Sequence, residues 1–195
     1  SDLEYYYARE PYAPCAFTPD ANFPVINIEK GRYHPCFTKT WAAETAVPRV
    51  KALHGGFRVN VLPAEAQCLL TGLTAQEVQP LCSRAAAETG VAFTLEEEGA
   101  DLRISAQGKG AHASLPEDGN NGITALLHLL SSLPLAPCES TEALRALHTL
   151  FPHGDSAGNA LGIAQADQLS GPLTVCFSLL ELNGTGLSGQ FDCRA

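Results

Sequence analysis

The order of strand and helix patterns after residue 48 is the feature that most constrains the fold of this chain. Apolar runs predict strands over residues 50–63, 64–73, 91–99, 100–110, 173–184 and 186–195, and helical periodicity predicts helices over residues 74–90, 122–133 and 141–151. Two strands, a helix, two more strands and further helices indicate an α+β fold. Its sheet is predicted to be mainly antiparallel, with the helices packed on one face.

Three boundary signals accompany these patterns. The first helix is predicted to end at Gly90, because glycine is the usual residue just past a helix C-terminus. Ser140 or Thr141 is predicted to cap the third helix. Asn183 and Gly184 are predicted to form the turn between the last two strands.

The first 48 residues differ in composition from the rest. They contain all five tyrosines and the only tryptophan, Trp41, together with many prolines, and one strand is predicted over residues 23–28. We therefore place a domain boundary near Pro48. Residues 1–48 are predicted to be part of another unit, and residues 49–195 to form a domain of their own.

Charge and composition argue against several classes of function. Lys and Arg number 12 against 21 Asp and Glu, which gives a net charge of −9, and the cations are not clustered. No nucleic-acid partner is expected, because phosphate binding requires clustered cations. No apolar run is long enough for a membrane span, and the N-terminal residues lack the apolar region of a signal peptide. Seven cysteines without a CxxC pair indicate reduced thiols and a cytoplasmic location.

Asp20 is the first candidate site residue. It lies in the segment TPDAN, where Pro19 fixes its own backbone and biases Thr18 toward an extended conformation. A stiff loop that presents one carboxylate suits a metal ligand. The same segment also suits an aspartate that stabilises a turn through its own backbone, so this stretch alone leaves both interpretations open.

His112 is the second candidate. It follows a predicted strand within GKGAHASLPEDGNNG, residues 108–122, and its small neighbours leave the imidazole uncrowded. Such a histidine could donate a hydrogen bond to a substrate oxygen or an oxyanion. A loop histidine without a function is the alternative. The glycines lack the spacing of a dinucleotide-binding loop, and no GxxxxGK[ST] motif is present.

Asn60 and Arg194 are further candidates for ligand binding. Asn60 lies in a predicted strand, where asparagine is uncommon, and its amide could bind a ligand backbone or form an edge or bulge contact. Arg194 lies at a predicted strand end and could bind an anion or be solvated at the surface. His153 and Asp155 could form a turn or a weak metal pair, and the turn is favoured.

Five stretches, taken together and in this order, resemble the middle of the PepV-type dipeptidases: FTPDANFPVINIEKG, GGFRVNVLP, GKGAHASLPEDGNNG, LGIAQADQLSGPLTV and FDCRA. These dipeptidases belong to a di-zinc metallopeptidase family that includes carnosinase, aminoacylase and succinyl-diaminopimelate desuccinylase. The resemblance extends over nearly the whole chain, and the first and third stretches are the most specific. It implies a ferredoxin-like lid domain, residues 49–195, preceded by a stub of the zinc-binding catalytic domain.

The resemblance implies a role for each candidate residue. Asp20 matches a carboxylate that ligates one of two zinc ions, with manganese or cobalt as alternative metals. His112 matches the lid histidine that polarises the scissile carbonyl. Asn60 and Arg194 match the residues that hold the backbone and the carboxylate of a dipeptide substrate. The implied reaction is hydrolysis of a peptide bond by zinc-activated water.

The resemblance also implies that parts of the site lie outside this sequence. The HxDxVP-type segment, the bridging aspartate and the Glu-Glu pair of the family are expected before Ser1, and its last zinc-binding histidine after Ala195. With one expected ligand and no general base, this chain alone is expected to bind zinc weakly and to be inactive. The stub, without its sheet partners, is expected to promote self-association.

A non-catalytic binding or dimerisation module that keeps the lid fold is the alternative from another functional class. A full reading frame with the upstream Glu-Glu pair and a downstream histidine would argue against it.

Overall fold

The computed structural model describes residues 2–15, 26 and 28–195. Asp20 lies outside these residues, as does most of the strand predicted over residues 23–28; Ile26 and Ile28 are described and neither is in a strand. The elements in chain order are α1 (Asp2–Tyr7), β1 (Arg32–Tyr33), β2 (Cys36–Thr40), β3 (Arg49–Gly55), β4 (Val61–Leu62), β5 (Glu65–Thr71), α2 (Ala75–Thr89), β6 (Ala92–Glu98), β7 (Asp101–Gln107), β8 (Ala111–His112), a 3₁₀ turn (Pro116–Asp118), α3 (Gly122–Ser132), α4 (Glu139–Leu150), β9 (Ala166–Asp167), β10 (Gly171–Pro172), β11 (Thr174–Asn183) and β12 (Gly186–Arg194).

One large antiparallel sheet organises the molecule. Its strand order is β1, β12, β11, β3, β5, β7, β6, and β2 also pairs with β12. Helices α2, α3 and α4 pack against it, and alternate residues of β5 and β7 are buried beneath them. The predicted α+β class with a mainly antiparallel sheet is confirmed. None of the helices in the described part of the chain is long and apolar enough to cross a membrane.

Helix α3 lies at the centre of the core, between α2 and α4 and against β5, β7 and β11. Most of its side chains are buried. Asn121 caps its N-terminus, because its Oδ1 accepts hydrogen bonds from the backbone N–H groups of Ile123 (2.9 Å) and Thr124 (3.2 Å). The amide nitrogen of Asn121 also donates to the carbonyl of Phe177 in β11, at 2.8 Å. One asparagine therefore both starts the helix and ties it to the sheet.

Helix α2 has the boundaries that its sequence predicts. Thr74 and Glu77 form a capping box at its N-terminus, and Gly90 ends it in the left-handed conformation.

The predicted cap of α4 is wrong. The helix begins at Glu139 with Cys138 in the capping position, so Ser140 and Thr141 lie in its first turn. The carboxylate of Glu44 accepts hydrogen bonds from the backbone N–H of Ser140 (3.0 Å) and from its hydroxyl (2.6 Å). A side chain from a distant segment thus satisfies a donor that a local cap would otherwise have to satisfy.

Residues before the predicted boundary at Pro48 also pack on this sheet. Strands β1 and β2 pair with β12, and Trp41 is buried in the core. Gly31 and Ala195 exchange backbone hydrogen bonds, at 2.7 and 3.3 Å. The assignment of residues 1–48 and 49–195 to two domains stays a prediction.

The strand predicted over residues 50–63 is interrupted at Gly56. A Cβ at this position would lie 1.8 Å from the carbonyl oxygen of Ser178, and its φ of 79° is in the left-handed region. The chain therefore leaves the sheet after β3, turns, and forms the short strand β4. Asn60 lies in this turn and not inside a strand, so that part of the prediction is wrong.

The turn between β11 and β12 is shifted by one residue from the prediction. Asn183 pairs with Gly186, so the two loop residues are Gly184 and Thr185. The side-chain oxygen of Asn183 accepts a hydrogen bond from the backbone N–H of Thr185, at 2.9 Å. Asparagine stabilises the loop from the position before it.

We expect the substitution Glu44→Gln to destabilise the fold by about 1 kcal/mol, because the N-terminus of α4 loses a charged hydrogen-bond acceptor. The loss is limited because solvent partly screens the Glu44 charge. Partial burial opposes ionisation of Glu44, but the hydrogen bonds from Ser140 outweigh it and hold the pKa of this carboxyl below its ordinary value of 4.5. The difference in the free energy of unfolding between wild type and Glu44→Gln should therefore be largest above pH 4.5, the ordinary value. It should disappear as the pH falls through the lowered pKa of Glu44.

Urea unfolding at several pH values measures this difference. The matched control is Glu142→Gln, which removes an exposed carboxylate from the first turn of the same helix. Equal losses from the two substitutions at neutral pH would contradict the role of Glu44.

Candidate functional site

A small arm formed by β4 and β8 brings two of the predicted site residues together. Val61 pairs with His112 and Leu62 with Ala111. The carbonyl of Asn60 accepts a hydrogen bond from the backbone N–H of Ala113, at 3.0 Å. Asn60 and His112 therefore lie at the same end of one two-stranded ladder.

The arm is fixed to the sheet by a separate buried contact. Leu62 and Ala113 of the arm pack against Cys176 of β11, and all three side chains are buried. Burial raises the pKa of Cys176 to about 11, so its thiol is neutral near pH 7 and serves as a packing group. This contact holds the backbone of the arm while the imidazole of His112 stays exposed.

Two loops cross closely at the base of the arm. Lys109 and Asn120 exchange backbone hydrogen bonds at 2.9 and 2.7 Å. A Cβ at Gly108 would lie 2.1 Å from the carbonyl oxygen of Asn120, so only glycine fits at this crossing without a shift of the backbone. Gly108 and Asn120 thus form the base of the loop that presents His112.

The imidazole of His112 has one occupied nitrogen among the described residues. Its Nδ1 lies 2.6 Å from the hydroxyl of Ser114 and 3.3 Å from the backbone N–H of the same residue. The second nitrogen, Nε2, is the one available to a ligand.

Arg194, at the end of β12, is buried and ion-paired. Its Nε and one Nη donate to Asp192, at 2.8 and 3.0 Å, and Asp192 is fully buried. His34 lies 3.0 Å from the same carboxylate. The hydrogen bonds that Arg194 donates to the Asp192 carboxylate raise the pKa of Arg194. The sequence left open whether Arg194 binds an anion or is solvated at the surface. Its burial shows that the second alternative is wrong.

The arm and the arginine lie on the same side of the sheet. Cys176, which contacts the arm, pairs across the two strands with Asp192, and Thr174 pairs with Arg194. Residues two apart in a strand point to the same face, so Thr174, Cys176, Asp192 and Arg194 share one face. The hydroxyl of Thr174 is buried and has no hydrogen-bond partner among the described residues.

Strand β3 ends before it reaches this part of β11. β3 pairs with β11 only at residues 180–182, so among the described residues no strand pairs with the stretch from Thr174 to Ser178 on that side. Its backbone bonds instead to Asn121, through the carbonyl of Phe177, and to Ser156, whose carbonyl accepts from the N–H of Val175 at 2.8 Å. A cleft of about 320 Å³ lies beside it.

His153 and Asp155 line this cleft and form structural contacts. Asp155 accepts backbone hydrogen bonds from Asn159 (3.1 Å) and Ala160 (2.8 Å), which confirms the predicted turn. His153 lies 2.9 Å from the Thr124 hydroxyl through Nδ1 and 3.1 Å from a backbone carbonyl through Nε2, and burial lowers its pKa. Both ring nitrogens are engaged, so the pair is not arranged as a metal site.

The metal expectation depends on Asp20, which lies outside the described residues. Among the residues that the structure describes, no three His, Cys, Asp or Glu side chains are grouped as a metal site would require. These residues therefore do not by themselves form a zinc site.

Sequence reasoning missed three residues of this region: Asp192, Ser114 and Cys176. Asp192 had a recognisable signal, because Asp-x-Arg in a strand places both charges on one face. Ser114 had a weaker signal in its position two residues after His112. Cys176 had none, since its contact with the arm is long-range.

Comparison with known proteins confirms the predicted resemblance. The chain is 30% identical over 191 residues to the Beta-Ala-Xaa dipeptidase of Lactobacillus delbrueckii subsp. lactis, which covers 94% of this chain and 39% of that protein. It is 26% identical over 175 residues to the "Putative dipeptidase YtjP" of Bacillus subtilis strain 168, which covers 89% of this chain and 37% of that protein. No family model matches the chain. This chain spans about two fifths of the length of the two curated relatives named above.

We expect Asp192→Asn to lower the free energy of unfolding by about 3 kcal/mol, because Arg194 stays buried without its counter-charge. Urea unfolding at neutral pH measures this loss. The control is Glu88→Gln, which weakens the solvent-exposed contacts of this carboxylate with Arg84 and His128 and should change stability little. An Asp192→Asn protein as stable as wild type would contradict the importance of this buried pair.

We also expect Gly108→Ala to destabilise the chain by about 1–3 kcal/mol, because the new methyl group displaces the Asn120 carbonyl. Thermal unfolding and the NMR signals of His112 measure the effect on the fold and on the arm. Gly184→Ala is the control, since a Cβ there meets no atom within 4 Å. Equal behaviour of the two variants would show that the loop crossing is not tight.

Proposed function

We propose that this chain, which resembles a segment of the PepV-type dipeptidases, forms the lid of a cytoplasmic metal-dependent dipeptidase together with a stub of its catalytic domain. The observation that carries the proposal is the arm, which presents the exposed imidazole of His112 beside Asn60. This arm is docked on the face of the sheet that also carries Arg194. A histidine donor, an amide and an arginine on one face match the chemical groups of a dipeptide.

His112 is proposed as the catalytic residue of the lid. Its Nε2 is exposed on a rigid backbone, so it can donate a hydrogen bond to the oxygen of a scissile carbonyl. Negative charge grows on that oxygen when water attacks, and a donor fixed in advance stabilises the growing charge more than it stabilises the ground state.

Arg194 and Asn60 are proposed to bind the ends of the substrate. Asp192 uses two of the five N–H donors of Arg194, and the others suit a carboxylate. The amide of Asn60 can both donate to and accept from a peptide backbone. A short substrate with a free carboxylate fits this set better than a long polypeptide.

Zinc, with manganese or cobalt as alternatives, is the proposed cofactor, and Asp20 is the residue of this chain proposed to hold it. When bound, the metal supplies an activated water as nucleophile. The remaining ligands and the general base are proposed to come from regions of the full protein that this sequence does not contain. No observation favours the non-catalytic binding module.

In the full-length protein, we expect His112→Ala to lower kcat for dipeptide hydrolysis by about 100- to 1,000-fold, as loss of an oxyanion donor does. The matched control is His54→Ala, which removes an exposed histidine of β3 that contacts the Glu181 carboxylate. A steady-state assay over a panel of dipeptides measures both variants. Unchanged turnover in His112→Ala would rule out its catalytic role.

The chain by itself is expected to hold zinc weakly and to hydrolyse no dipeptide. Metal analysis after dialysis and an assay with added zinc or manganese measure this directly. Stoichiometric, tightly bound metal together with dipeptide hydrolysis would contradict the proposal that the remaining ligands and the general base lie in other regions of the full protein.

A further inference from the structure

The hydrogen bonds of His112 define which ring nitrogen carries its proton. The backbone N–H of Ser114 points to Nδ1 at 3.3 Å, and a backbone N–H can only donate. Nδ1 must therefore be the acceptor in the neutral ring. The hydroxyl of Ser114, 2.6 Å from the same nitrogen, must then donate as well. Both contacts place the proton on Nε2.

The backbone around this pair leaves little room for another arrangement. The carbonyl of His112 accepts from the N–H of Leu115 at 2.9 Å, and the N–H of Ala113 donates to Asn60 at 3.0 Å. Ala113 between them is fully buried. Residues 112–115 thus form a fixed turn that directs the Ser114 donors at the ring. Among the described residues, the hydroxyl of Ser114 has no other hydrogen-bond partner.

We propose that Ser114 is a positioning residue that holds the imidazole of His112 in the Nε2–H tautomer. Nε2 is then a hydrogen-bond donor in the main form of the neutral ring, and a hydrogen-bond donor is what a substrate carbonyl requires. In the other tautomer, Nε2 carries a lone pair and repels the carbonyl oxygen. The catalytic part of this inference rests on the proposed function, whereas the tautomer is a property of the chain itself.

The tautomer can be measured on this chain without any activity. Nitrogen-15 NMR of the histidine rings distinguishes a protonated from an unprotonated ring nitrogen, and His112→Gln identifies the signals of His112. When the ring is neutral, wild type is expected to show Nε2–H as the main form. Ser114→Ala is expected to raise the Nδ1–H fraction about threefold to tenfold, as loss of one hydrogen bond predicts.

Two variants separate this effect from a general disturbance. Ser114→Thr keeps the hydroxyl and should restore the wild-type tautomer. Ser83→Ala removes an exposed hydroxyl that donates to the Gln79 carbonyl within α2, and should leave the His112 signals unchanged. A wild-type ring with the proton on Nδ1, or a Ser114→Ala ring with unchanged tautomers, would overturn the proposal.

The full-length protein tests the consequence for catalysis. Ser114→Ala should lower kcat about threefold to tenfold with little change in KM, and Ser114→Thr should recover it. An unchanged kcat in Ser114→Ala would overturn the positioning role in catalysis. Absence of dipeptide hydrolysis in wild type would instead refute the proposed function, and the NMR result would still decide the tautomer.

Discussion

The pairing of β11 with β12 is the interaction on which the rest of the structure depends. β3 joins this hairpin on one side, and β1 and β2 join it on the other. One face carries the aromatic contact of Phe177 with Phe151, whose ring centroids are 4.4 Å apart. The opposite face carries Cys176, which holds the arm, and Asp192, which holds Arg194. The core and the candidate site are thus two faces of the same pair of strands.

Much of this fold follows from local sequence patterns. The apolar periodicity of α2 and the glycine at its C-terminus predicted that helix correctly, because those signals act between neighbours in the chain. Elements defined by distant contacts were less predictable. α4 begins where Glu44 satisfies its first turn, and the strand after residue 50 breaks where Gly56 meets the carbonyl of Ser178. Neither partner can be identified from the sequence nearby.

In the candidate site, too, some features follow from the local sequence and others depend on distant contacts. Residues 108–122 predicted a loop with an exposed histidine, because small residues around His112 are visible in the sequence. That Asn60 lies beside it depends on the pairing of β4 with β8, which no local sequence pattern predicted. Asp192 could have been inferred from the alternation of side chains in a strand, whereas its full burial and its contact with His34 depend on packing from other segments.

The backbone pairing of Gly31 with Ala195 has a consequence for modularity. Because backbone hydrogen bonds join these two positions, residues 31 and 195 lie side by side, and the chain between them starts and ends at the same place. A unit whose two ends are adjacent can be inserted into a loop of another domain without separating the two residues that flank the insertion.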